Sequence, residues 1–509
     1  MEAARRWVVR RSRQPSVVKR PPAAETARIR AALDHPILDA DGHAIEYLPC
    51  IYDLVRDLGG AKAVDGFRFL IDGMGMIRSL AVEDALRFGA FRMGWWGLAV
   101  DATDRASVML PKLFYERLDE IGLDLAIVYP TYGLLAIGIH DPDVRIPVAR
   151  AFNRYYAEEY APYGDRIIPA ATIPVHTPEE AVAELDYAVG ELGLKVAMLS
   201  GHVVRPRPGT SDPRGAHWID TLGLDSAHDY DPLWRRCAEL AIAPTFHSSA
   251  LGLATHESPT NYVYNKLGSF AGSLHALCKS LLLGGVAHRF PSLRFAFLEG
   301  GAGWATMLYA DLLAHWNKRN VEAVQRYDPR RLDRQRLRAL FESHGSPALV
   351  EHLPELDGSL HPLSDPDDPM LDDFARSGIG GADDVRRMFA EQLFFGCEAD
   401  DPVNAWAFDT RVNPHGLALN AIFGSDIGHW DVPDMRAVVP ESHELVEHGL
   451  ITADNYRAFV FGNVVDLWGG ANPHFFDGTV VAAAARRHLA LRHPPDTEPR
   501  SARDGQSIC

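Results

Sequence analysis

Asp39, Asp41, His43 and Glu46 crowd into ILDADGHAIEYLP, residues 37–49, directly after an apolar lead-in. An ordinary buried strand would continue with valines. Three acids and an imidazole within eight residues are instead suited to gripping a cation. Asp41 and His43 are two apart, so on a strand both face one side and can hold a single ion together. The plain alternative is a polar loop that happens to contain a histidine, and the rest of the chain must decide between the two.

Further along, His247 follows IAPTF, Glu299 follows LRFAFL, and Asp426 closes FGSD. Each alone has an ordinary explanation: a hydrogen-bonded interior histidine, an acid satisfied by the amides of Gly300 and Gly301, a cap on the next helix. Together they place imidazole nitrogens and carboxylate oxygens after separate apolar runs, a donor set suited to Zn²⁺, Mn²⁺ or Fe²⁺. No thiolate belongs to the set, so the chemistry fits an open catalytic site rather than a closed structural zinc.

The elements that must carry these residues are eight short apolar runs: 37–43, 124–130, 166–174, 194–200, 242–249, 293–301, 391–401 and 420–431. Longer amphipathic stretches separate them, as in repeated βα units. A helix is expected from about Asp143 to Tyr163, and another after Thr177, which precedes Pro178 and two acids as a helix cap does. No G-x-G-x-x-G follows a strand, so a (β/α)8 barrel (an α/β TIM barrel with long inserted loops) fits better than an open doubly wound sheet. In such a barrel the functional face lies at the carboxyl ends of the strands, where Asp41, His43, His247, Glu299 and Asp426 all fall. Residues 36–475 form the barrel. About 44–120, 201–230 and 320–390 are insertions, the second read as a loop over the mouth. Residues 1–35 read as a disordered basic arm, and 476–509 as a C-terminal helix with a disordered tail.

The formal net charge of −17 argues against a nucleic-acid partner, because a phosphate-binding surface needs clustered cations. No run approaches the ~18 to 20 apolar residues that span a bilayer, so no membrane role is expected. Five scattered cysteines without a C-x-x-C pair point to a reduced, cytoplasmic setting.

LDADGHAIE, PTFHSS, FLEGGAGW and FGSDIGHWD, in that order, resemble the amidohydrolase-related family, whose members include metal-dependent barrel hydrolases and non-oxidative decarboxylases similar to aminocarboxymuconate semialdehyde decarboxylase. FVFGNVVDLWG at 459–469 is similar to the family's closing helix. The resemblance covers roughly residues 36–475. It implies Asp41, His43, His247 and Asp426 as ligands of one divalent ion, Zn²⁺ first with Mn²⁺ or Fe²⁺ as alternatives, and Asp426 as proton acceptor. Two departures stand out. Many members begin with His-x-His or Glu-x-His, and many decarboxylases carry histidine where this chain has Glu299. The expected reaction is therefore hydrolysis of a small, cyclic or aromatic substrate, with Glu299 as a second acid/base. Decarboxylation of an aromatic or unsaturated acid is the alternative. Trp96, Arg205, His275 and His429 are expected to contact substrate, and a homodimer is expected because family members often pair.

Overall fold

The computed structural model describes residues 21–88, 92, 100–207, 217–247, 258–360 and 367–492. Eight parallel strands are hydrogen-bonded in chain order. They are β1 (Leu38–Ala44), β2 (Leu125–Pro130), β3 (Ile167–Ile173), β4 (Val196–Ser200), β5 (Pro244–His247), β6 (Phe295–Phe297), β7 (Leu393–Cys397) and β8 (Asn420–Phe423). Each coincides with an apolar run of the sequence. Strands enclosed on both faces cannot alternate polar and apolar residues, which is why they are written as continuous apolar stretches. Phe246, Phe295 and Phe297 are fully buried and stack from β5 to β6, with rings of Phe246 and Phe297 5.6 Å apart. Each such ring contributes about 1.5–3 kcal/mol of transfer free energy.

The barrel closes between β1 and β8 just past the end of β8. Asp426 N–H donates to Asp41 C=O, and His43 N–H donates to Ile427 C=O, both at 2.9 Å. β1 slips by one residue against β2 between Asp39 and Gly42. Such bulges re-aim side chains near active sites, and this one takes Asp39 out of step with Asp41 and His43.

The expected helix after β2 is Pro142–Tyr160, started by Asp141, whose carboxylate accepts from Asp143 N–H. Thr177 caps Pro178–Leu185 by accepting from Glu180 N–H at 3.2 Å. The closing helix, Asn463–Ala471, is tied to β8 by Asn463 donating to Ala421 C=O at 2.8 Å.

The insertions have structures of their own. The first is mainly a long helix, Leu48–Ser79, bent at Gly60, whose φ of 70° only glycine adopts readily. It lies on Pro142–Tyr160 so closely that a Cβ at Gly66 would stand 2.6 Å from Val144. The second, expected as a loop, holds an antiparallel hairpin pairing Val203–Pro206 with His217–Asp220. β-branched and aromatic residues at Val203, Val204, Trp218 and Ile219 favour that pairing. The third is helical, including Arg334–His344.

The N-terminal arm, expected to be disordered through residue 35, forms a helix at Ala24–Ala32. Thr26 and Ile29 are buried there, and Arg28 pairs with Glu447 at 2.8 Å. A C-terminal helix spans Ala482–Arg492, and His488 and Arg492 bind the Asp466 carboxylate. The parts of both termini expected to be disordered at 1–20 and 493–509 lie outside the described residues. Among the described residues no helix is long and apolar enough to cross a membrane.

Candidate metal centre

At the β1–β8 seam, Asp39 does what a ladder bond would otherwise do. Its carboxylate accepts from the backbone N–H of Ser425 at 2.9 Å, from the Ser425 hydroxyl, and from Asp41 N–H at 3.1 Å. Full burial pushes this acid up to about 7, although those donors favour its charged form. Asp39 therefore splices the seam and presents the backbone that carries Asp41 and Asp426. Gly424 is needed at this seam because a Cβ there would stand 2.8 Å from the Asp41 Cβ.

Above the seam four side chains converge. His43 Nε2 and His247 Nε2 are 3.1 Å apart. Asp41 Oδ1 lies 3.7 Å from each of them, and Asp426 Oδ1 lies 3.4 Å from His43 Nε2. All four side chains are at most 4% exposed. Buried polar atoms are normally paired, yet Asp41 Oδ1 and both Asp426 oxygens accept no well-formed hydrogen bond within the protein. Asp41, His43 and His247 bring donor atoms close enough to share a divalent ion, and His43, Asp426 and His429 form a second such triad beside them; bonds of about 2.0–2.1 Å across a tetrahedral angle separate two ligand nitrogens by about 3.3 Å. Without an ion, two imidazole nitrogens aimed at each other between two orphaned carboxylates make a poor buried arrangement.

The electrostatics of these side chains alone favour the ligating form at His43 and the protonated form at its neighbours. Burial drives the His43 pKa well below its ordinary value, with His429, His247 and Lys266 adding to the shift. A neutral imidazole is the form that ligates. For His247, burial also disfavours charge, but the carboxylates of Asp41 and Glu299 outweigh it and leave the pKa raised. Burial raises Asp41, and raises Asp426 far more, with Asp431 and Glu299 nearby.

Two residues at strand ends hold left-handed backbone without being glycine: Glu299 at φ 61° and Asp426 at φ 49°. Aspartate tolerates this region better than glutamate, and strain of about 1–3 kcal/mol per residue gathers at functional sites. Glu299 stands between His247 and Lys266. Its Oε2 is 3.5 Å from His247 Nδ1, and its Oε1 is 3.5 Å from the Lys266 ammonium. Each oxygen of this expected acid/base thus faces one nitrogen at 3.5 Å, the placement of a carboxylate behind a ligand histidine.

His429 joins the centre as well. Its ring stacks on His43 at 3.9 Å, its Nδ1 lies 2.7 Å from Asp426 Oδ1, and its Nε2 lies 3.2 Å from Thr131 Oγ1. Burial brings its pKa down to about 4, so the ring is neutral near pH 7.

Of the other expected substrate contacts, Arg205 and His275 have partners outside this group. Arg205 gives its donors to Asp220, the Tyr230 hydroxyl and His176 C=O within the hairpin region. His275 is half-buried against Trp304, away from the four converging side chains. Trp96 lies outside the described residues. Three residues not singled out from sequence belong to the surroundings: Lys266, Glu398 and Asp431. Burial, then Asp431 and Glu299, push Glu398 up to about 8. Glu398 directly follows β7, so the strand-end rule would have found it.

The amidohydrolase family model matches residues 117–349. Decarboxylase orsB of Emericella nidulans is 31% identical over 181 residues, 33% of this chain, and the chain spans about half (49%) of that relative's length. An amidohydrolase of Mycobacterium avium subsp. paratuberculosis K-10 is 19% identical, with 86% of this chain and 100% of that one aligned at a TM-score of 0.49. A dihydroxybenzoic acid decarboxylase of Polaromonas sp. JS666, with bound manganese and 2-nitroresorcinol, is 14% identical over 85% of this chain and 97% of that one, at a TM-score of 0.46.

Proposed function

We propose, from a chain whose residues 117–349 match the amidohydrolase family model, that it is a metal-dependent hydrolase of a small organic substrate. The observation that carries the reading is the 3.1 Å approach of two imidazole nitrogens between carboxylates whose oxygens lack partners. Asp41, His43, His247 and Asp426 would hold one divalent ion, Zn²⁺ first, with Mn²⁺ or Fe²⁺ suited to the same donors. Such an ion, when bound, acts as a Lewis acid toward a substrate oxygen and makes water a better nucleophile.

The chain's own residues handle the protons. With Thr131 Oγ1 as donor to His429 Nε2, the neutral ring would carry its proton on Nδ1. Asp426 Oδ1 lies 2.7 Å from that Nδ1, and Oδ2 would take the proton of the attacking water. As the carbon–heteroatom bond breaks, Asp426 returns the proton to the leaving group. Glu299 keeps His247 oriented through Nδ1, and the packed seam limits bulk water.

A second reading, non-oxidative decarboxylation, is favoured by the name of the Emericella nidulans relative. There Asp426, protonated, would deliver its proton to the ring carbon that loses carbon dioxide. Purified protein with its metal content measured is offered two panels, aryl amides and esters, and hydroxylated benzoic acids. Release of acid from the first supports hydrolysis, and carbon dioxide from the second supports decarboxylation. Wild type without stoichiometric divalent metal sinks both. The setting proposed is the cytoplasm, where the free thiols of Cys50, Cys237, Cys278 and Cys397 stay reduced, and the assembly proposed is a homodimer.

A further inference from the structure

A second group of charged side chains lies at the amino-terminal face of the barrel, opposite the strand ends that carry the metal centre. Arg294 stands directly before β6. Its guanidinium presses on Gly470, where a Cβ would stand 2.1 Å from Cζ and 2.3 and 2.5 Å from the two Nη atoms. Only glycine leaves room for it there. Cζ also lies 6.0 Å from the Phe394 ring of β7.

A guanidinium carries five N–H donors. Among the described residues Arg294 uses one, from Nη1 to Asp466 C=O, and no acid oxygen lies within 4.0 Å of it. The bond is not a helix cap. A helix leaves its last four carbonyls without partners, and in Asn463–Ala471 those belong to residues 468–471, not to Asp466. The Asp466 carboxylate is itself committed to the C-terminal helix. Its Oδ1 lies 2.9 Å from His488 Nε2, and its Oδ2 accepts from Arg492 Nε at 3.0 Å. Burial disfavours the charge of Arg294 and Arg492 opposes it further, while Asp466 and Glu391 support it. Two guanidiniums thus share one carboxylate. The helix that brings Arg492, Ala482–Arg492, also carries Arg486, Arg487 and His488 and no acid, in a chain whose net charge is −17. The metal centre has acceptors that want a cation; this group has donors that want an anion.

We infer that Arg294 and Arg492 form a binding site for a phosphate group, free or carried on a small ester. Guanidinium forks match phosphate geometry. A phosphate group offers three strong acceptor oxygens, enough for donors from two forks, whereas a carboxylate offers two. The anion would tie together β6 through Arg294, the closing helix through Asp466 and the C-terminal helix through Arg492. Nothing in this inference depends on a metal ion being bound at the opposite face.

The test titrates full-length protein, as purified, with inorganic phosphate and with glycerol 3-phosphate at constant ionic strength, chloride being the reference anion. Calorimetry reads binding, and hydrogen exchange reads residues 482–492. Saturable binding of one phosphate group per chain is expected, with slower exchange in the C-terminal helix. Arg294→Met and Arg492→Met should each weaken it about tenfold or more. Arg492 is 56% exposed, so its variant tests the site even where Arg294→Met fails to fold. Arg492→Lys, which keeps the charge and loses the fork, should recover only part of the affinity. An ester that binds as tightly as the free ion supports the site with esters as its ligands, and weaker ester binding supports it with the free ion. The inference is overturned if phosphate binds no better than chloride. It is equally overturned if both arginine variants bind phosphate as wild type does, which would place the anion elsewhere, the metal centre included.

Discussion

Two buried charged clusters of this molecule behave in opposite ways. Behind β3, the Arg145 guanidinium makes paired 2.6 Å bonds to both oxygens of Glu180 and reaches the carbonyls of Ile139 and His140 at 2.6 and 2.7 Å. Above the β1–β8 seam, Asp41 and Asp426 keep oxygens with no hydrogen-bond partner while two imidazoles point at each other. The first cluster is complete as protein. The second has the donors that a cation would complete. Burial alone therefore does not mark a functional charge, whereas burial with an unfilled acceptor set does.

The largest break in this contrast is His247→Ala. Stoichiometric divalent metal and turnover should both disappear, turnover by about a thousandfold or more given that a ligand is lost. Thermal unfolding with and without chelator gives the partner measurement. Chelator should lower the stability of wild type by about 4 kcal/mol at metal a thousandfold above its dissociation constant, and should leave His247→Ala unmoved. Equal stability of wild type in both conditions would place the seam cluster with the structural one.

Arg145→Met should do the reverse. Removing one partner of a satisfied buried pair strands Glu180, at a cost of about 3–5 kcal/mol. Denaturant midpoints should fall by that amount while metal content per folded chain stays at the wild-type value. A loss of metal in this variant would erase the distinction between the clusters.

How far the sequence discloses the two clusters differs as well. The barrel is legible because strands buried on both faces have to be apolar, so each announces itself as an uninterrupted run. Asp41, His43, His247 and Asp426 are legible as the polar ends of those runs. Arg205 misleads because its partner Asp220 is fifteen positions away and is brought alongside by a hairpin register, Arg205 against Trp218, that spacing does not encode. Lys266 escapes notice because nothing local in YVYNKLG separates it from a solvated helix end. What distinguishes it are Phe270 beneath it and Glu299 from another strand. Asp39 and Asp41 look equivalent as written, and only the one-residue slip of β1 assigns one to Ser425 and the other to the centre.

Glu46 provides a comparison of intermediate size, since it is fully buried three residues from His43 yet satisfied by protein. The Tyr156 hydroxyl and Tyr132 N–H donate to it at 2.7 and 2.9 Å, and burial still pushes its pKa up to about 7. Its folded value lies above its unfolded value, so between about pH 4.5 and 7 the native state binds more protons than the unfolded chain. Stability from this acid is therefore full below about 4.5 and declines as pH rises toward 7. The decline amounts to on the order of 3 kcal/mol. Glu46→Gln should flatten that slope when urea midpoints are compared at pH 5 and pH 8. An unchanged slope would mean that Glu46 is already ionised in the fold.

The smallest effect is expected at Glu299→Gln, and it decides on which side of the contrast that residue belongs. As a free acid/base, Glu299 would touch the substrate, and its amide variant would lose turnover while holding metal as before. Its position between His247 Nδ1 and Lys266 predicts a different signature. A neutral amide orients the imidazole less firmly, so metal affinity should weaken about 10–100-fold, the range for a lost carboxylate behind a ligand histidine. Turnover should return when metal is supplied in excess. Competition with a coloured chelator measures the affinity, and activity against added metal measures the rescue. Full metal affinity combined with lost turnover would restore Glu299 as a proton carrier. Recovery at high metal would make it part of the scaffold that lets a strained strand end hold an imidazole on target.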